Sequence, residues 1–311
     1  MLVPKIASLI SHISVFLLFN LASSVVCTSV HAWSKQGHRA MGEVVLQQLE
    51  PEVQQYYLSL AKVFNAINGS KNHPRDTFIN LSSWPDEIRK TSLAQLFKQF
   101  DTRLPRVLGS FAKESSNRWH YHNAVSTEDD QRCAFTNGGQ LYEVMPLIDR
   151  ALRNPESPAQ EVLLLAFAMH FMQDIHQPLH TFTRLNTACK SDLGGNRVCL
   201  RPIFAGRCPM SLHYLWDSGF GVFYDKDDLS SLAPNIFDGL DNQSSEQQRF
   251  KFVPASWGRE SFKYYADVYQ YRRKNYEDNA KDIVEERVGK AISRQVQYLN
   301  RHYKMRVGKD G

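Results

Sequence analysis

Residues 162–180 read VLLLAFAMHFMQDIHQPLH, and this stretch decides the fold. From Val162 to Met172 it is apolar apart from His170. That run is too short to cross a bilayer and apolar on every side, which is the pattern of a helix enclosed in a protein core. His170 and Asp174 lie four apart, so a helix stacks them on one face and aims both at a common point. A carboxylate in such surroundings costs several kcal/mol unless a charge compensates it. A metal cation supplies that charge; a buried His–Asp pair bonded to the backbone is the plainer alternative. Pro178 ends or kinks the helix near residues 175–177, which lets His180 point into the same cavity from a turn.

Outward from this segment the periodicity is helical nearly everywhere. Toward the N-terminus, Met41, Val44, Val45 and Leu49 repeat at helical spacing behind a Ser34 cap, and Val53, Tyr56, Tyr57, Leu60 and Phe64 do the same after Pro51. A polar loop over 68–76 leads to Trp84-Pro85-Asp86, which bends into a short helix carrying Arg89. Residues 118–125, RWHYHNAV, read as irregular, and the Asn137-Gly138-Gly139 turn introduces a helix from Leu141 to Leu152. Beyond the central segment, 185–210 has no helical pattern, and a loop that long is more often functional than idle. SLHYLWDSG at 211–219 returns to helix, a polar stretch covers 225–251, and two helices close the chain at 256–275 and 282–303. No run of alternating strands occurs. The fold expected is an all-α single-domain bundle of residues 33–311.

The first 32 residues read as a secretory signal: Lys5 precedes the apolar segment ISVFLLFNLASSVVC at 13–27, and Ala32 closes a small-residue cleavage site. Cleavage there makes Trp33 the N-terminus, leaves no membrane span, and places the protein outside the cytoplasm, secreted or periplasmic. The formal net charge of the full chain is +5. That mild excess is compatible with a polyanionic substrate without establishing one. Cys133, Cys189, Cys199 and Cys208 remain after cleavage, an even count that argues for two disulfides of open connectivity. With no CxxC pair, a cysteine zinc site is disfavoured.

His38, Asp86, His120, His170, Asp174, His180, His213 and Asp217 all lie in apolar or aromatic surroundings. His213 and Asp217 repeat the four-residue spacing of His170 and Asp174. Two such pairs and three further histidines exceed what one four-coordinate zinc can use, so more than one cation is implied. Nitrogen and carboxylate ligands without thiolates favour zinc. Neighbouring cations suit in-line attack on a phosphoester.

Taken in order, Trp33-x4-His38, Ser83-Trp84-Pro85-Asp86-x2-Arg89, His120-Tyr121, His170-x3-Asp174-x-His176-Gln177-Pro178-Leu179-His180, Asp192-x-Gly194-Gly195-Asn196 and Leu212-His213-x2-Trp216-Asp217 resemble the single-strand-specific zinc nucleases of fungi, plants and bacteria. Those enzymes are also 3'-nucleotidases, and they are cousins of bacterial zinc-dependent phospholipase C. The resemblance implies three zinc ions. One is held by Asp86, His120, His170 and Asp174, a second by His180, His213 and Asp217, and a third by His38, Asp174 and the free amine and carbonyl of Trp33. It further implies that Asp174 bridges two cations, that Arg89 neutralises charge on the reacting phosphate, that Tyr121 stacks a base of an unpaired strand, and that Gly195 and Asn196 line the cleft. Where fungal and plant members carry Asp three residues after the ligand matching His120, this chain has Asn123, so base contact there is expected to differ. The implied partners are single-stranded DNA and RNA and 3'-nucleotides, acted on by a monomer.

Several residues invite overreading. His122 and His176 flank candidate ligands but are expected to point elsewhere, His73 and His302 read as surface residues, and KYYADVYQYRRK at 263–274 reads as an ordinary amphipathic helix. Phospholipase C on the same scaffold is the second reading; its last ligand is typically Glu, whereas this chain has Asp217. A zinc-scavenging protein is the third, disfavoured by Arg89. A chain that keeps Ala32 ahead of Trp33 is expected to lose zinc stoichiometry and most activity, as read by metal analysis beside a nuclease assay.

Overall fold

The computed structural model describes residues 33–204, 206, 208–224, 229–231 and 250–308. The expected signal segment and most of the polar 225–251 stretch lie outside the described residues. Among those described, helices account for the architecture. They are α1 (Lys35–Gln48), α2 (Pro51–Asn68), α3 (Pro74–Leu81), α4 (Trp84–Ile88), α5 (Leu93–Gln99), α6 (Thr127–Arg132), α7 (Leu141–Leu152), α8 (Pro158–Asp174), α9 (Leu212–Asp217), α10 (Pro254–Phe262), α11 (Tyr265–Val268) and α12 (Tyr276–Val307). Only isolated bridges, such as Ala124 with Phe182, represent β-pairing. The fold is all-α.

α8 is the axis. Ser157 caps it through Gln160 N–H, Pro158 opens it, and every residue from Gln160 to Asp174 is buried. It packs on α1, α2, α3, α4, α7 and α12, which surround it. A helix without a polar face is stable only in such a position, because each side chain then leaves water. No described helix is long and apolar enough to cross a membrane.

The helix starts follow local chemistry. Ser34 caps α1 through Gly37 N–H, and Pro51, Pro74 and Pro85 sit in the first turns of α2, α3 and α4. Three expectations need correction. The 68–76 loop is shorter, because Pro74 starts α3. The predicted 256–275 helix breaks after Phe262 and resumes only as the four residues of α11, since its aromatics turn to pack on Phe182. His302 is buried rather than exposed: its ring meets Tyr57 at 2.9 Å and approaches the buried Glu161 at 3.4 Å. His73 is exposed, as expected.

Both disulfides form, and their pairing is now defined. Cys199–Cys208 closes a ribbon within the long loop, while Cys133–Cys189 ties the end of α6 to the segment before Gly194. The second link spans 56 residues and the first only 9. In the chain-entropy view these loops are worth about 4 and about 2.5 kcal/mol. Cys133→Ser with Cys189→Ser is therefore expected to lower stability in a urea titration by more than Cys199→Ser with Cys208→Ser.

Candidate metal centre

The end of α8 delivers His170 and Asp174 into the centre of the bundle, both fully buried. α8 stops at Asp174, and a single 3-10 turn at Pro178–His180 brings His180 round to the same region. α4 supplies Asp86, the irregular segment after Ser116–Arg118 supplies His120, α1 supplies His38, and α9 supplies His213 and Asp217. All are nearly inaccessible to solvent.

Asp86, His120, His170 and Asp174 converge. His120 Nδ1 lies 2.9 Å from His170 Nε2, 3.1 Å from Asp174 Oδ2 and 3.5 Å from Asp86 Oδ1. His170 Nε2 lies 3.2 Å from Asp174 Oδ2 and 3.8 Å from Asp86 Oδ1. A tetrahedron with zinc–ligand bonds of about 2.0–2.1 Å has edges of about 3.3–3.4 Å, the middle of that range. On the far side, His180 Nε2 faces His213 Nε2 at 3.2 Å, and His213 Nε2 stands 3.5 Å from Asp217 Oδ2. His38 Nε2 comes within 3.4 Å of Asp174 Oδ1, and its ring stacks on His170 at 4.1 Å. His38 also groups with Asp86 and His170 closely enough to share an ion.

Hydrogen bonds on the outer side of four of the rings fix which nitrogen faces inward, whereas His120 turns Nδ1 to the cluster. His38 Nδ1–H donates to Gln173 Oε1 at 2.5 Å, His170 Nδ1–H to Ser82 O at 2.7 Å, His180 Nδ1–H to His120 O at 2.6 Å, and His213 Nδ1–H to Gly194 O at 2.6 Å. Each Nε2 is thereby left as a lone pair aimed at the cluster, the arrangement that orients metal-binding imidazoles. His180 and His213 therefore present two lone pairs to each other at 3.2 Å, which repel unless a cation or proton lies between them. His38 Nε2 and Asp174 Oδ1 are buried with no hydrogen-bond partner among the described residues. These donors fit divalent cations.

The supporting groups had little sequence signal. Gln173 and Gln177 stood out only as amides in a buried run; Gln177 donates to Asp217 Oδ1 at 2.6 Å. The backbone carbonyls of Ser82, His120 and Gly194 had none. Gly194 holds a left-handed φ of 59°, and a Cβ there would come within 2.4 Å of Leu179 O. Only glycine allows its carbonyl to reach His213.

The other predicted residues lie on or beside the segments that carry the cluster. Trp33 is fully buried, its ring N–H donating to Gln173 O at 3.0 Å, and the adjoining Ser34 N–H donates to Asp217 O at 2.8 Å. Trp33 thus stands against the segments of both candidate groups. Arg89 caps α4 three residues beyond Asp86 and is partly exposed. Tyr121 is partly exposed beside His120, with its carbonyl against Gly139, where a Cβ would clash at 2.0 Å. Asn123 is partly exposed, its N–H bound by Asn137 Oδ1 at 2.8 Å. Gly195 is buried behind Leu179, and the Asn196 side chain closes its own turn on Leu193 O at 2.7 Å. His122 stacks on Tyr142 and bonds Asn137, and His176 faces α12, so neither joins the cluster.

Charge is concentrated here. Burial alone pushes the His170 imidazole down, but Asp174 and Asp86 outweigh it and carry its pKa up to about 9. His38, buried and beside His170, falls to about 3. Burial raises the Asp217 carboxyl well above the usual range, with Asp86 and Asp174 adding repulsion. With Nδ1–H given to Ser82 O, that pKa places a second proton on His170 Nε2 at neutral pH, where a bound cation would take its place. Because its folded pKa exceeds the ordinary 6.5, His170 stabilises the metal-free fold fully below about pH 6.5, and that contribution is lost as pH rises through about 9. In chelator-treated protein, Asp174→Asn is expected to move the His170 imidazole titration, followed by NMR, back toward acid pH.

Comparison with known proteins identifies the family of the chain. A family profile described as S1/P1 Nuclease matches residues 33–304. Among curated proteins, Endonuclease 1 of Arabidopsis thaliana is 27% identical over 251 residues, covering 72% of this chain and 68% of that protein. Endonuclease 2 of the same plant is 23% identical over 68% of this chain and 64% of its own length. Endonuclease 4 is 24% identical over 68% and 63%. The matched stretches thus span about two thirds of each relative. Bundle, buried histidine–aspartate clusters and profile together show that the chain belongs to the S1/P1 nuclease family, a hydrolase acting on phosphodiester bonds.

Proposed function

We propose that the protein is an exported endonuclease that cleaves single-stranded DNA and RNA to 5'-phosphorylated products, with 3'-nucleotidase activity, and that it works with three zinc ions. The observation that carries this reading is the pair of imidazole lone pairs of His180 and His213 facing at 3.2 Å, next to a second cluster with tetrahedral spacing. Asp86, His120, His170 and Asp174 would hold one zinc, and His180, His213 and Asp217 another. Trp33 through its amine and carbonyl, with His38 and Asp174, would hold the third. Bound zinc supplies Lewis acidity toward the phosphate and activation of water.

The chain's own residues do the rest. Arg89, at the end of the helix that carries Asp86, offers a planar fork to the phosphate oxygens and spreads the charge that develops on them. Tyr121 offers a ring to a base, which only an unpaired strand can present face-on. Asn123 replaces an acid with an amide at the neighbouring position, giving the base edge both a donor and an acceptor. Gly195 and Asn196 shape the wall behind His213 by closing the turn whose carbonyl orients it. The Asp174 carboxylate has one oxygen toward His120 and His170 and the other toward His38, as a bridging ligand requires.

Export is supported by two disulfides, which persist in oxidising compartments, and by the signal pattern of residues 1–32. Cleavage after Ala32 frees the Trp33 amine, whose ordinary pKa near 8 permits deprotonation by a bound cation. The domain of residues 33–311 then acts as a monomer, secreted or periplasmic.

Purified mature protein assayed against single-stranded DNA, RNA, a 3'-mononucleotide and phosphatidylcholine, with and without chelator, tests the reading. Chelator-sensitive turnover of the first three is expected. Phospholipid hydrolysis with inert nucleic acid assigns the scaffold to phospholipase C instead. Asp174→Asn is expected to cut nuclease activity by at least about 100-fold and to lower the zinc content, because a bridging ligand serves two ions.

A further inference from the structure

His176 belongs to the central HQPLH turn yet takes no part in the candidate centre. It is fully buried. Its Nδ1–H donates to Met172 O at 2.6 Å, so Nε2 carries the lone pair and accepts from Arg294 Nη1 at 2.7 Å. Its carbonyl accepts from Arg287 Nε at 3.4 Å, and the preceding carbonyl, of Ile175, accepts from Ser261 Oγ at 2.9 Å.

The donors are themselves held. Glu260 takes Arg294 through contacts of 2.7 and 2.9 Å and takes Arg287 at 3.1 Å. Arg287 also donates to Trp257 O at 3.1 Å, and the Trp257 ring lies 5.1 Å from the Arg294 guanidinium. The link between α8 and the His180 turn is thus fastened to α10 and α12, more than eighty residues further along the chain.

That link is where the two candidate ligand groups meet. His170 and Asp174 precede it, His180 follows it, and Gln177 within it both donates to Asp217 and accepts from Leu179 N–H. A shift at 175–176 therefore moves His180 on one side and Asp217 on the other. Packing alone asks only for a ring-sized hydrophobe at 176. The observed ring is instead bonded at both nitrogens in opposite directions, which sets its rotation as well as its volume.

We propose that His176, held by Arg294, is a positioning residue that sets where His180 stands relative to His170 and Asp174, so that the C-terminal helices fix the spacing between the two zinc groups. The inference rests on the three-zinc reading above. It concerns zinc retention at the His180, His213 and Asp217 group in particular.

The test is zinc content by elemental analysis, with competition by a chelator of graded concentration, on mature wild type, His176→Leu, His176→Gln and Arg294→Gln. Glutamine can donate toward Met172 and accept from Arg294, so His176→Gln is the conservative variant. His176→Leu is expected to retain two zincs and release the third at about 10-fold lower chelator strength, the low end of the loss seen when a direct outer-shell partner is removed, because His176 acts one step further out. His176→Gln is expected to recover most of that loss, and Arg294→Gln to resemble His176→Leu. Three zincs released as in wild type from folded His176→Leu, with only a lower melting temperature, overturn the proposal. If His176→Leu does not fold, wild-type zinc release from Arg294→Gln overturns it equally. A wild type that binds no zinc at the His180 group rejects the three-zinc reading itself, a result separable from wild type binding three and every variant doing the same.

Discussion

Carboxylates and imidazole lone pairs pressed together inside an apolar bundle form the constraint on which this structure depends. Asp86, Asp174 and Asp217 are at most 6% exposed and are shared between two neighbouring groups of histidines. Burying such charge without compensation is far costlier than any packing gain nearby. Positive charge has to enter, whether as a proton on His170 or as divalent cations. The facing nitrogens of His180 and His213 make the same demand independently.

The rest of the fold presents these groups. α8 can be apolar on all sides because six helices enclose it, and that enclosure keeps water from screening the cluster. Outer hydrogen bonds to Gln173 and to the carbonyls of Ser82, His120 and Gly194 leave Nε2 of His38, His170, His180 and His213 facing inward. The glycine at 194 and the interruption of the helix before Pro178 are backbone solutions to the same problem. Even the long C-terminal helix, which contributes no candidate ligand, reaches the turn through Arg287 and Arg294.

Local chemistry made much of this legible in advance. Helical spacing placed α1, α2, α7, α8 and α9, since burial of one face needs only a period that the sequence displays. The four-residue pairs His170/Asp174 and His213/Asp217 marked the centre because a helix must put such residues together. The helix expected over 256–275 failed for the opposite reason: aromatic residues that look amphipathic in one dimension pack on Phe182 in three, and the helix breaks. His302 misled in the same way, because a histidine amid basic residues gives no sign that Tyr57 and Glu161 await it from elsewhere in the chain.

The sequence by itself determined the all-α class, the central buried helix and which side chains could bind metal, because periodicity and residue chemistry are local properties. Only the tertiary structure decided how those side chains are grouped, which nitrogen each imidazole turns inward, how the cysteines pair, and that His176 accepts from Arg294 instead of joining the cluster. Those outcomes depend on contacts between residues far apart in the chain, such as Gly194 with His213, Ser82 with His170 and Arg294 with His176. No spacing along one segment encodes them.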